Sequence, residues 1–253
     1  MHGTSALTAV TAQNTLAVRA VHQLPPEMVL AQVRAVLCDI RVDAVKVGML
    51  GSAEVVLAVA RAIDELPSGT PVVVDPVMVA ESGARLLAAD AQDALVREIL
   101  PRASVLTPNV PEARVLTGGE PVGSGVEDVE NAEDAEDEDS ELEILARAVL
   151  ALGPRVVVLT GGHRARAVDL FLDSEEDTAS LIGGERHPDG AAHGSGCTHS
   201  SLLAAQLALG HTPLQAARTA RALAGAAVAH GLRDVGAGAG PVDVLDLARM
   251  RGY

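Results

Sequence analysis

Short runs of β-branched residues alternate with stretches whose apolar positions recur every three or four residues, along most of the chain. A brief, continuous apolar run bounded by polar or Gly/Pro positions suits a buried strand, and the longer period suits a helix with one apolar face. The pattern predicts strands at Ser5–Ala12, Ala44–Val47, Val72–Asp75, Val105–Thr107 and Val156–Thr160. A later antiparallel pair is expected at Ala167–Leu172 and Ala179–Ile182. Helices are expected at Pro26–Asp39, Ala53–Glu65, Ala89–Leu100, Pro111–Leu116, Glu141–Leu152, Gly196–Leu209, Pro213–His230 and Val242–Met250. Strands that alternate with helices in this way build a largely parallel sheet covered by helices, the α/β class.

With 253 residues, 48% of them apolar, the chain can bury one sizeable core and reads as a single domain over 1–253. No apolar run reaches the roughly 18 residues of a membrane span, and no leader pattern opens the chain. Cys38 and Cys197 stand in unrelated contexts, which argues against a disulfide framework. The expectation is a soluble cytoplasmic protein. The net charge of −15 is concentrated, because Glu120 to Glu143 holds twelve Asp/Glu and no Lys or Arg. Gly118–Ser140 therefore reads as an acidic, flexible loop, either a solvated insertion or a partner-binding segment. Phe171 and Tyr253 are the only aromatics, and no basic stripe is visible, so nucleic acid is not expected as a partner.

Ligands in parallel sheets bind beyond the carboxyl ends of the strands. Here those ends read Thr11-Ala12-Gln13-Asn14-Thr15, Lys46-Val47-Gly48-Met49-Leu50, Asp75-Pro76-Val77-Met78, Thr107-Pro108-Asn109 and Thr160-Gly161-Gly162-His163, each polar or glycine-rich after an apolar run. Most informative is Ala192-His193-Gly194-Ser195-Gly196-Cys197-Thr198, which runs straight into a helical pattern. Closely spaced glycines let successive amides turn toward one point, and the helix start adds a partial positive charge. Such a turn can cradle a phosphate, and its field favours the thiolate of Cys197. The plainer alternative is a glycine-rich loop capped by Ser195 or Thr198.

These segments, together with Thr8–Thr15, Asp43–Leu50, Val74–Met78, Thr107-Pro108-Asn109-Val110-Pro111-Glu112-Ala113, Gly161-Gly162-His163, His193–Thr198 and Gly240-Pro241-Val242, occur in a telling order. That order resembles the hydroxymethylpyrimidine/phosphomethylpyrimidine kinases of thiamine biosynthesis, within the ribokinase superfamily. The resemblance spans nearly the whole chain and implies a three-layer α/β/α ribokinase-like fold with a mostly parallel central sheet. It implies transfer of phosphate from ATP, with Mg2+, to a small aminopyrimidine and its monophosphate, and it suggests a homodimer.

The same resemblance assigns roles. Gly194, Ser195 and Gly196 would hold the transferring phosphoryl group, and Cys197 would accept the substrate's hydroxyl proton where most superfamily relatives have an Asp. Asn109 and Glu112 match a magnesium-positioning Asn-x-x-Glu, although locally Asn109 could simply cap the next helix and Glu112 complement its dipole. Asp75, expected exposed at the sheet edge, would serve the metal or phosphate site or organise its turn. Gln13 would read the aminopyrimidine edge, because a carboxamide both donates and accepts. Met49 and Val77 would line the heterocycle or merely pack in the core. Thr160, Gly162 and Thr198 would serve the nucleotide. Lys46 reads as a strand residue pairing with a nearby acid, and His163 and His193 as loop residues.

The match also departs from the family pattern. About thirty N-terminal residues with a further strand and a Gly-rich, Asp-containing turn are missing, which implies a misplaced start or a truncated member. Thr160 replaces a common lysine, and Ser195 a threonine. Rival readings are a pyridoxal/pyridoxine kinase, a non-catalytic ligand-binding relative, and a redox-sensing thiol protein built on Cys197.

Overall fold

The computed structural model describes residues 2–79, 86–119, 132–161, 167–187 and 190–246, with the backbone alone for 132–138 and 178. Its first strands, β1 (Ala9–Gln13) and β2 (Val18–Gln23), pair with each other as an antiparallel ribbon separate from the main sheet. Asn14 builds the turn between them by accepting the N–H groups of Leu16 and Ala17 at 3.0 and 2.9 Å. The strand expected over Ser5–Ala12 thus starts at Ala9, and β2 is an element the apolar pattern did not reveal. Both strands are largely exposed, so neither carries the apolar stripe that marks a half-buried strand.

Then follow α1 (Pro26–Leu37), β3 (Val45–Val47), α2 (Ala53–Asp64), β4 (Val72–Val74) and α3 (Ala89–Ala94). A wide turn over Leu95–Ile99 and a tight one over Leu100–Arg102 extend α3 along the length expected for one helix. Next come β5 (Val105–Leu106), α4 (Val110–Leu116), α5 (Ala132–Leu150), β6 (Val156–Leu159), β7 (Val168–Asp173), β8 (Thr178–Gly183), α6 (Ser195–Ala208) and α7 (Pro213–Ala229). Strands β3 to β8 form one six-stranded sheet in sequence order, parallel from β3 to β6 and antiparallel over β6–β7–β8.

Alternation along each strand sends side chains to opposite faces, and here both faces are apolar. Val72, Val74, Leu106, Val157 and Leu159 join a core with α2 to α5, whereas Val73, Val105, Val156, Val158 and Phe171 meet α6 and α7. The result is the three-layer α/β/α arrangement. The buried alanines Ala216, Ala217 and Ala220 of α7 leave room for close packing.

Two expectations need correction. α5 begins at Ala132, inside the segment read as an acidic loop, because alanine and glutamate favour helix regardless of net charge. Residues 120–131 of that segment lie outside those described. No helix forms over 242–246; there the Val242 N–H donates to His193 O at 3.1 Å and the Asp243 N–H to Ala227 O at 2.9 Å. Residues 247–253 lie outside those described. Among the described residues no helix is long and apolar enough to cross a membrane.

Candidate active site

β4 and β5 each end one residue before the sequence pattern suggests, because Asp75 and Thr107 precede prolines that cannot donate to a ladder. Asp75 leaves β4 with its N–H still on Val47 O at 2.9 Å. Its side chain is buried, not exposed as expected, with 7% of the residue's surface accessible. A buried carboxylate needs partners, and two arrive from distant elements. Lys46 Nζ lies 3.2 Å from Asp75 Oδ2, and Ser200 Oγ of α6 donates to the same oxygen at 3.0 Å. A Cβ on Gly48 would stand 2.7 Å from Lys46 Nζ, so the absent side chain there is what lets the ammonium reach Asp75.

Gly194 opens α6 in the left-handed region at φ 86°, where a side chain would be strained, and no side chain caps the helix. The capping alternative for Ser195 or Thr198 therefore falls. The Ser195 N–H is already spent on Ala192 O at 2.9 Å, and the Thr198 N–H on Gly194 O at 2.9 Å. Among the described residues the amides of Gly196 and Cys197 have no acceptor, and a Cβ on Gly196 would meet nothing within 4 Å. The cradle thus narrows to the two unspent amides of Gly196 and Cys197, with open space beside Gly196 and with Ser195 contributing the turn and not a donor.

Cys197 stays exposed as a residue, yet its thiol lies beside Asp75 and feels Glu112 and Lys46. Partial burial of the sulfur pushes the thiol above its ordinary range, and the Asp75 and Glu112 charges add to that. Only Lys46 acts in the opposite sense. The thiolate favoured by the helix start is therefore opposed by the surrounding carboxylates, a correction to the sequence expectation.

Asn109 and Glu112 close a reciprocal cap at the start of α4. Asn109 Oδ1 accepts the Glu112 N–H at 2.8 Å, and Glu112 Oε2 accepts the Asn109 N–H at 2.9 Å. The capping reading of these two residues thus holds, and Glu112 in addition faces Asp75. Burial and then the Asp75 charge raise its carboxyl to about 7, against the hydrogen bonds from the backbones of Asn109 and Met78. A folded-state value above the unfolded one means stability is greatest below about pH 4, falls as the glutamate of the unfolded chain ionises while folded Glu112 keeps its proton, and levels off above about pH 7. Glu112→Gln keeps the cap acceptor and removes the charge. Chemical denaturation is expected to find it about 2–3 kcal/mol more stable than the parent at pH 8 and equal at pH 4. Equal stabilities at both pH values would refute a raised carboxyl.

Among the described residues no group of three or more His, Cys, Asp or Glu is arranged to hold a metal ion. Two neighbouring carboxylates, one of them resisting ionisation, nevertheless suit a hard cation that brings its own water and phosphate ligands. Asp75 and Glu112 fit that description, whereas the Asn109 carboxamide oxygen is committed to the cap.

Around this centre Met49 and Val77 are half-buried, as wall residues would be, and the Met49 carbonyl accepts Thr8 Oγ1 at 2.7 Å. Thr160 bridges to Asn109 and donates its N–H to Pro108 O at 2.8 Å. Thr198 sits one residue beyond Cys197 in the first turn of α6. Gln13 ends the ribbon, exposed, at an irregular pair with Val18, and it makes none of the contacts of the centre. Gly162 and His163 lie outside the described residues. Sequence reasoning missed Ser200 and gave Lys46 only a pairing with a nearby acid, which is the ion pair with Asp75 found here. The legible signal for Lys46 was a charge inside an apolar strand run, and Ser200 lies one helical turn after Gly196 and Cys197.

The family model described as phosphomethylpyrimidine kinase matches residues 1–243. The chain belongs to that family. It is a phosphotransferase with a ribokinase-like fold. The hydroxymethylpyrimidine/phosphomethylpyrimidine kinase of Haemophilus influenzae is 38% identical over 255 residues, covering 98% of this chain and 87% of the relative. A crystal structure of phosphomethylpyrimidine kinase from Clostridium difficile superposes with a TM-score of 0.68 at 32% identity, covering 87% of this chain and 84% of that one. Pyridoxal kinase from Staphylococcus aureus, in complex with AMP-PCP and pyridoxal, gives a TM-score of 0.77 at 28% identity, covering 97% and 83%.

Proposed function

We propose that this protein phosphorylates 4-amino-5-hydroxymethyl-2-methylpyrimidine and its monophosphate at the expense of ATP, in thiamine biosynthesis. The observation that carries this reading is the meeting of the start of α6, with its unspent amides at Gly196 and Cys197 and its thiol beside Asp75, with the carboxylates of Asp75 and Glu112. Phosphoryl transfer asks mainly for positioning and charge stabilisation, and those are what this corner supplies. The amides would hold the transferring group, as at other helix starts. Cys197 Sγ would take the hydroxymethyl proton as the oxygen attacks. Asp75 and Glu112 would hold Mg2+, which when bound neutralises charge on the nucleotide phosphates. Lys46 and Ser200 fix Asp75 in place. Met49 and Val77 would flank the heterocycle, Thr160, Gly162 and Thr198 would serve the nucleotide, and Gln13 would recognise the amino edge if the ribbon brings it over the site.

Pyridoxal is the rival substrate, favoured by the overall likeness to a pyridoxal kinase. The higher identity to a pyrimidine kinase supports the pyrimidine. Coupled ATPase assays of the purified protein with each heterocycle separate the two. Turnover of the pyrimidine at a kcat/KM at least tenfold above that of pyridoxal is expected, and the reverse order would reject this assignment. A homodimer is part of the same proposal. Exposed Val10 and Val21 of the β1–β2 ribbon, with Leu16 at its turn, supply apolar surface for a second copy. Sedimentation equilibrium should return about twice the 25.9 kDa chain mass, and a monomer at micromolar concentration would reject it.

A further inference from the structure

Behind the α6 turn lies a second polar cluster that the phosphoryl-transfer centre does not use. Asp169 of β7, His199 of α6 and Arg221 of α7 meet between the sheet and the α6–α7 layer. Asp169 is 1% exposed, and its two oxygens are treated differently. Oδ1 accepts the Gly161 N–H at 3.1 Å, just beyond β6. Oδ2 lies 3.7 Å from His199 Nε2 and 3.8 Å from Arg221 Nε, too far for a hydrogen bond to either. Asp169 Oδ2, both His199 ring nitrogens and Arg221 Nε are buried without a hydrogen-bond partner among the described residues.

Leaving four buried polar atoms unsatisfied is costly in a well-packed interior, and such exceptions often mark a functional constraint. The backbone around the cluster leaves little freedom. A Cβ on Gly161 would collide with the Val168 carbonyl, and one on Gly184 would sit 2.7 Å from Arg221 Nε. Arg221 Nη2 is fixed by donating to Ala167 O at 2.7 Å. Burial keeps His199 neutral, so Arg221 is the cation that faces Asp169.

We propose that Asp169 is a positioning residue for nucleotide binding, holding Gly161 at the carboxyl edge of β6 in register with the start of α6. The carboxylate ties Gly161 directly through Oδ1, and its second oxygen lies against His199, two residues after Cys197, without a hydrogen bond to it. Gly161, where β6 ends, and the first turns of α6 thus lie against one buried carboxylate. This inference rests on the kinase reading for its ligand and goes beyond it in its residues.

The test compares Asp169→Leu, which removes the acceptor for the Gly161 N–H at similar volume, with the double variant Asp169→Leu/Arg221→Gln, which leaves no unpaired buried ion. ADP affinity is read by calorimetry, and KM for ATP, KM for the pyrimidine and kcat by assay. The expected result is at least a tenfold loss in ADP affinity and the same rise in KM for ATP, in whichever variant keeps a cooperative thermal transition. KM for the pyrimidine should stay within twofold. ADP affinity within twofold of the parent, or equal shifts in both KM values, would overturn the role. Failure of both variants to fold would also overturn it, by assigning the cluster to stability alone. If the parent binds ADP but phosphorylates neither heterocycle, the substrate reading fails, while the ADP affinities still decide the role of Asp169.

Discussion

Cys197→Ala is expected to lower kcat about 100- to 10,000-fold, the range that removal of a general base commands, while both KM values stay within about threefold. The split follows from what the substitution touches. The residue-197 amide remains at the start of α6, so the two-amide cradle persists. Only the sulfur beside Asp75 disappears. The parent should also show a pH signature. A thiol held above its ordinary range by burial and by Asp75 and Glu112 is mostly protonated near neutrality. Its thiolate fraction then grows about tenfold per pH unit below its pKa. The logarithm of kcat/KM should climb with a slope near one through the neutral range in the parent and lose that slope in Cys197→Ala. Alanine turnover within threefold of the parent, or matching pH profiles, would remove the base role and leave the cradle alone.

How far the sequence carries this site depends on how local each constraint is. The strand ends were legible because short apolar runs give way to Asp-Pro, Thr-Pro-Asn and Thr-Gly, whose backbone limits act within a residue or two. The α6 turn was legible for the same reason, because Gly194 needs its left-handed conformation whatever packs around it. Long-range partners were legible only in part, since the charge of Lys46 inside an apolar run asked for an acid but named none. Ser200 meets Asp75 across 125 residues of chain, so nothing near Asp75 signals that it is buried. The extra helical turns of α5 were hidden by a charge argument that ignored the helix propensity of Ala and Glu. The β2 strand was hidden by its exposure, which leaves no apolar stripe to read.

That long-range dependence makes Lys46→Met the substitution expected to cost the fold most at this site. Lys46 Nζ is the only cation whose ion pair with Asp75 is found among the described residues, at 3.2 Å, with 20% of its own side chain and 9% of the Asp75 side chain exposed. Methionine nearly matches the length of lysine and removes the charge, so packing changes little and the electrostatic loss is isolated. Removing one partner of a buried pair strands the other, which typically costs 3–5 kcal/mol; partial exposure of Lys46 places this case at about 3 kcal/mol. For a chain of this size that corresponds to a Tm lower by about 6–12 °C. Ser200 still donates to Asp75 Oδ2, which keeps the carboxylate from being wholly unpartnered. The double variant Lys46→Met/Asp75→Asn should recover most of the lost stability, because no buried ion is left uncompensated, but it should remain inactive for want of the Asp75 charge. A single variant as stable as the parent would mean that Asp75 is held by Ser200 and solvent, and that the cation contributes nothing to the fold.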